Sequence, residues 1–115
     1  MSVRAEQVAS VIKEEIGILL TREFNDPSYG LLTVTDVRMS ADLKIAKVYV
    51  SILGNADVRE RMMKVLDEKK PGIRRIVGSH IRLKFTPEIH FYLDDTLDRV
   101  ERINNLIKQI HKDDH

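Results

Sequence analysis

Val8, Val11, Ile12, Ile16, Leu19 and Leu20 recur at helical spacing, so the pattern predicts an amphipathic helix from residue 3 to about 23. Lys13, Glu14, Glu15 and Arg22 fall on its other face. Asn25 to Gly30 then reads as a turn, because Pro27 cannot continue a helix and Gly30 tolerates positive φ. Leu31 to Met39 is rich in Thr and Val and reads as a strand. Ser40-Ala41-Asp42-Leu43 is a short connection, with Asp42 suited to cap the local backbone, and Lys44 to Leu53 is a second strand. Alternation puts Ala46, Val48, Val50 and Ile52 on one face of it, and Ile45, Lys47, Tyr49 and Ser51 on the other. So short a link implies an antiparallel hairpin.

Gly54 to Asp57 breaks the strand and offers Asn55 or Asp57 as an N-cap. Val58, Met62, Val65 and Leu66 form the apolar stripe of the next helix. That helix is expected to end or bend near Lys70, because the residue before a proline is biased out of the α region. Pro71 then opens a further helix with Ile73, Ile76, Val77 and Ile81 inward. Thr86-Pro87 starts a third strand, with Ile89, Phe91 and Leu93 inward. Asp94, Asp95 or Thr96 caps a last helix whose side is lined by Leu97, Val100, Ile103, Asn104, Ile107 and Ile110. The predicted order is α-β-β-α-α-β-α. The long crossover between the second and third strands allows them to pair in parallel. The expectation is a two-layer α+β domain over residues 1–110, with a small three-stranded mixed sheet and a polar tail at 111–115.

Charge adds a feature that the periodicity does not show. Lys69 to Lys84 holds six Lys or Arg and no acid, whereas the rest of the chain sums to −5, the total of +1 less the run's +6. Phosphate calls for such a field, because each neutralised phosphate releases condensed counterions. Charge alone leaves a solvated helix face equally open. With 115 residues and no cysteine, the chain is long enough for one core and excludes disulfide and thiolate chemistry. No apolar run approaches the ~20 residues of a membrane span, and the N-terminal segment lacks the apolar stretch of a signal peptide. A cytoplasmic protein is expected. Three Phe, three Tyr and no Trp argue against base stacking as the main mode of any RNA contact.

Several blocks, taken in order, resemble the ribosome-binding factor A family. They are Asn25-Asp26-Pro27, Thr33-Val34-Thr35-Asp36-Val37, Ser40-Ala41-Asp42-Leu43 and Ala46-Lys47-Val48-Tyr49-Val50-Ser51. Ile73-Arg74-Arg75, Arg82-Leu83-Lys84 and Pro87-Glu88-Ile89 continue the series, and Asp95 to Leu106 is similar to the family's last helix. The resemblance implies a type II KH-like fold and a non-enzymatic RNA-binding protein. It also implies action on late precursors of the small (30S) ribosomal subunit, with links to 5′-end processing of its RNA and to growth in the cold. The implied partners are the small subunit, its precursor RNA and other assembly factors, with this chain a monomer and no cofactor. Ordinary KH domains carry a Gly-x-x-Gly loop between paired helices. This chain lacks one and has Lys69-Lys70-Pro71-Gly72 at the expected bend, which points to a grip that is more electrostatic.

Arg74, Arg75, Arg82 and Lys84 are the first candidates for phosphate contact, with Lys69 and Lys70 beside them. A soluble helix face would mix in acids for i, i+4 pairing, and this run has none. About six engaged phosphates correspond to a log–log salt slope of roughly −4 to −5. Lys44, Lys47 and Arg38 lie on the hairpin strands and either extend the patch or form the polar face of a half-exposed sheet. His80 is a candidate from within the run, against the reading of a surface histidine without a role. The histidines show no metal-ligand spacing. Asp94, Asp95, Asp98 and Glu101 are read as helix capping, and no catalytic constellation stands out.

Overall fold

The computed structural model describes residues 3–23, 31–95 and 103–108. Helix α1 (Val3–Glu23) leads into strands β1 (Leu31–Met39) and β2 (Ile45–Leu53), helix α2 (Ala56–His80) and strand β3 (Glu88–Leu93). Residues 103–108 form a short helix, α3. The expected turn at 25–30, most of the last helix and the polar tail lie outside the described residues.

The sheet has the order β1-β2-β3, with β1 antiparallel and β3 parallel to the central strand. This is the mixed sheet that the hairpin and long crossover predict. Ala46, Val48, Val50 and Ile52 turn inward, as the alternation requires, and meet Ile12, Ile16 and Leu20 of α1 and Met62, Leu66, Ile73 and Val77 of α2. Both helices cover this one face, and each large apolar side chain fully buried there contributes about 1.5–3 kcal/mol. In α1, Ala5 is buried and Val11 is exposed, so the stripe sits slightly differently from the one read along the chain.

Two expectations about the second half are corrected. One helix, α2, runs through Pro71 where two helices were expected. Met62, Leu66, Ile73 and Val77 stay in phase across the proline and form one continuous stripe. Pro71 and Asp67 are both exposed, so water can serve the Asp67 carbonyl that the missing N–H leaves unbonded. The third strand begins at Glu88, two residues after the expected start at Thr86; Ile89 is buried, Phe91 is half-buried and Leu93 is exposed. In α3, Ile103 and Ile107 are exposed and line no part of the core.

Side chains set the connections. Ser40 donates its hydroxyl to Asp42 Oδ1 at 2.6 Å and accepts from the Ile45 N–H at 3.0 Å, while the Asp42 carboxylate accepts from the Lys44 N–H at 3.1 Å. Leu43 adopts φ 61° to close this turn. Asn55 caps α2, accepting from the Val58 N–H at 2.9 Å. Gly54 has φ +155°, and a Cβ there would stand 2.9 Å from Val58 Cγ1, so the entry to α2 requires glycine.

Candidate nucleic-acid interface

The basic run lies on the second half of α2 and on the irregular segment that leads to β3. The fold divides its cations into two groups. Arg74 faces the segment before β3, donating through Nη2 to the Thr86 carbonyl at 2.9 Å and through Nε to that of Pro87 at 3.2 Å. Gly78 lies one turn further along the same flank, and a Cβ there would meet Thr86 Oγ1 at 2.7 Å. Helix and segment therefore approach closely, held by Arg74 and permitted by Gly78. Lys70 pairs with Asp67 at 3.0 Å, and its side chain is only 30% exposed. His80 Nδ1 lies 2.7 Å from Glu15 Oε2 and ties the end of α2 to α1. Lys69 stands beside Glu23, Leu19 and Gly72 at a groove of about 230 Å³ between the two helices.

Arg75, Arg82 and Lys84 form the second group. All three are exposed and make no ion pair among the described residues. Adjacent helical positions differ by about 100°, which is why Arg74 reaches the Thr86 segment while Arg75 points to solvent. Lys84 Nζ lies 5.6 Å from the centroid of the Phe85 ring, which is itself 63% exposed. Lys44 is exposed at the start of β2 and lines a cleft with Arg74, Phe85 and Thr86; Asp42 and Glu88 are the acids there. Lys47 is exposed on the outer face of β2.

Three features needed the fold to be seen. The backbone bonds of Arg74 depend on how α2 meets the segment before β3. The His80–Glu15 contact joins positions 65 residues apart. Phe85, an exposed aromatic next to a cation, was legible as a pair of neighbours but not as surface. The Ser40 hydroxyl and the Lys44 N–H, which hold the Asp42 carboxylate in the turn, also keep its pKa below the ordinary aspartate value. Asp94 Oδ2 accepts from Thr35 Oγ1 at 2.6 Å, while Asp98 and Glu101 lie outside the described residues. Among the described residues, no cluster of His, Asp and Glu is placed to hold a metal ion, and no helix is long and apolar enough to cross a membrane.

Comparison with known proteins places this arrangement. The sequence pattern of ribosome-binding factor A matches residues 4–107. The crystal structure of ribosome-binding factor A from Thermus thermophilus superposes with a TM-score of 0.67 at 21% identity, over 77% of this chain and 94% of that one. The solution structure of the Thermotoga maritima protein TM0855 gives a TM-score of 0.57 at 28% identity, over 76% and 80% of the two chains. A Thermus thermophilus RbfA homology model, fitted into the cryo-EM map of a 30S–RbfA complex, gives 0.62 at 23% identity, over 83% and 96%.

Proposed function

The chain belongs to the ribosome-binding factor A family, and from that premise we propose that it binds the small ribosomal subunit and its precursor RNA through Arg75, Arg82 and Lys84, extended by Lys44 and Lys47. The family match over residues 4–107 is the observation that carries this reading. The exposed cations, which form no ion pair among the described residues, supply its physical means, since phosphate is the ligand that a basic surface favours. Lys69 and His80 border the surface. Arg74 and Lys70 build it from behind, one by holding the Thr86–Pro87 segment and the other through Asp67.

The protein acts by binding, without catalysis. Engagement of a precursor subunit favours the mature fold of its RNA and prepares the 5′ end for processing, and growth in the cold is where its loss shows most. The helix–strand order supports a KH-like reading in which the backbone-binding loop is replaced by an unbroken helix carrying cations.

With five exposed cations engaged, the affinity for isolated small subunits falls with salt at a log–log slope of about −3.5 to −4.5. A slope near zero would remove the electrostatic mechanism. Equal affinity for subunits and for unrelated free RNA would reduce the protein to a general RNA binder.

A further inference from the structure

The outer face of the sheet carries no helix among the described residues, and the strand register assembles an aromatic and cationic surface on it. Arg38, Lys47 and His90 are register partners across β1, β2 and β3, and Asp36, Tyr49 and Tyr92 form the adjacent row. The Tyr49 and Tyr92 rings stack with centroids 5.6 Å apart and an interplanar angle of 30°. Arg38 Cζ lies 5.6 Å from the Tyr49 centroid on the same surface. Tyr92 remains 43% exposed.

We propose that this open sheet face, with Tyr92 stacked on Tyr49 and flanked by Arg38 and Lys47, is a second RNA contact that receives the bases of an unpaired single strand. The inference rests on the RNA-binding reading above and adds to it the form of RNA that is recognised. A cross-strand tyrosine pair also stabilises a sheet, and by itself it says nothing of a ligand. Three observations take it further. The face adjoins the basic surface: Ile45, Lys47 and Tyr49 share the outer side of β2, and Ile45 lines the cleft that Lys44, Arg74 and Phe85 also line. At its near end Phe85 and Lys84 repeat the pairing of an exposed ring with a cation. Ile45, which shares the cleft with Phe85, is four positions before Tyr49, or about 13 Å along a strand.

A sheet face with spaced aromatic rings can stack about two or three bases, and the intervening cations meet their phosphates. Duplex RNA offers this surface no free ring face. The acids on the face are already occupied. Asp36 accepts from Arg38 Nε at 3.1 Å, with the Arg38 side chain 64% exposed, and Glu88 lies 3.3 Å from His90 Nε2.

The chain has no Trp and three Tyr, so in a Tyr29→Phe background tyrosine emission reports on Tyr49 and Tyr92 of the face. The test titrates the full chain with an eight-nucleotide single-stranded RNA and with an eight-base-pair duplex of the same sequence. Tyr92→Leu keeps an apolar group against Tyr49, Tyr92→Phe keeps the ring, and the melting midpoint of each variant verifies its fold. The single strand is expected to quench tyrosine emission and to bind more tightly than the duplex. Tyr92→Leu should lose about tenfold in affinity with an unchanged salt slope, and Tyr92→Phe should retain wild-type affinity. Equal binding by Tyr92→Leu and the wild type, or tighter binding of the duplex, overturns the inference while leaving subunit binding intact. If the wild type binds neither RNA nor small subunits, this inference and the reading beneath it fall together.

Discussion

The Nη2 of Arg74 donates to the backbone carbonyl of Thr86 at 2.9 Å, so of two adjacent exposed arginines one is tied to the segment before β3 and its neighbour is not. The contact holds α2 against the segment that enters β3, and the same segment carries Arg82, Lys84 and Phe85. Removing it therefore acts on the interface by loosening its support.

Arg74→Ala and Arg75→Ala are expected to separate stability from binding. Arg74→Ala should lower unfolding free energy by about 1.5–3 kcal/mol, the range for hydrogen bonds made by a charged donor. Arg75→Ala should stay within about 0.5 kcal/mol of the wild type, as an exposed substitution does, yet weaken subunit binding. Urea denaturation of the two variants, paired with a binding isotherm for each, checks the division. Equal stability losses would dissolve it.

Gly78→Ala tests the close approach of α2 and Thr86. The added Cβ would stand 2.7 Å from Thr86 Oγ1 and 3.1 Å from its Cγ2. Overpacking costs about 1–3 kcal/mol and the gain in helix propensity returns about 1, so the net is a loss of about 1 kcal/mol. In a Thr86→Ala background both clashing atoms are gone, and the nearest remaining atom, the Cβ of residue 86, is at an ordinary 3.4 Å. The substitution should then become stabilising. A thermal double-mutant cycle that shows no coupling between the two positions would contradict the packing described.

Pro71→Ala should raise stability by about 1–3 kcal/mol, because it restores an N–H to the Asp67 carbonyl within a helix that already runs through the site. Pro71 is exposed, so no core packing is lost. The chemical denaturation midpoint measures the change. A loss of stability would mean that the chain needs the proline to break the helix there.

Asp42 gives the pH prediction. Its carboxyl is held below the ordinary aspartate value, first by the Ser40 hydroxyl and then by the Lys44 N–H. A depressed folded value means that the turn's stabilisation is complete above the unfolded value and is lost as pH falls through the folded one. Ser40→Ala should move the Asp42 titration, followed by the chemical shift of its carboxyl carbon, upward toward the ordinary range. No movement would assign the depression to something other than the hairpin turn.

Much of the architecture was legible along the chain because it rests on strong periodicities. The alternation from Ala46 to Ile52 set the buried face of β2, and Asn55 and Asp57 marked the start of α2, of which the structure uses Asn55 as the cap. Pro71 misled because the rule for the residue before proline is local. The stripe Met62–Leu66–Ile73–Val77 spans both sides of it, and tertiary burial outweighed the lost hydrogen bond. The candidate surface was legible only as composition. Arg74 and Arg75 look alike in sequence, and their separation depends on where the Thr86 carbonyl lies. Tyr49 and Tyr92 are 43 positions apart and meet only through the parallel register of β2 and β3, so a chain poor in aromatics gave no sign that two of them stack on an open face.

Co-sedimentation with isolated small ribosomal subunits at low salt tests the central claim most directly, comparing the wild type with an Arg75→Glu, Arg82→Glu, Lys84→Glu variant whose melting midpoint matches it. The wild type should travel with the subunits and the charge-reversed protein should stay at the top of the gradient. A wild type that remains soluble, or a variant that still travels with the subunits, would contradict the account.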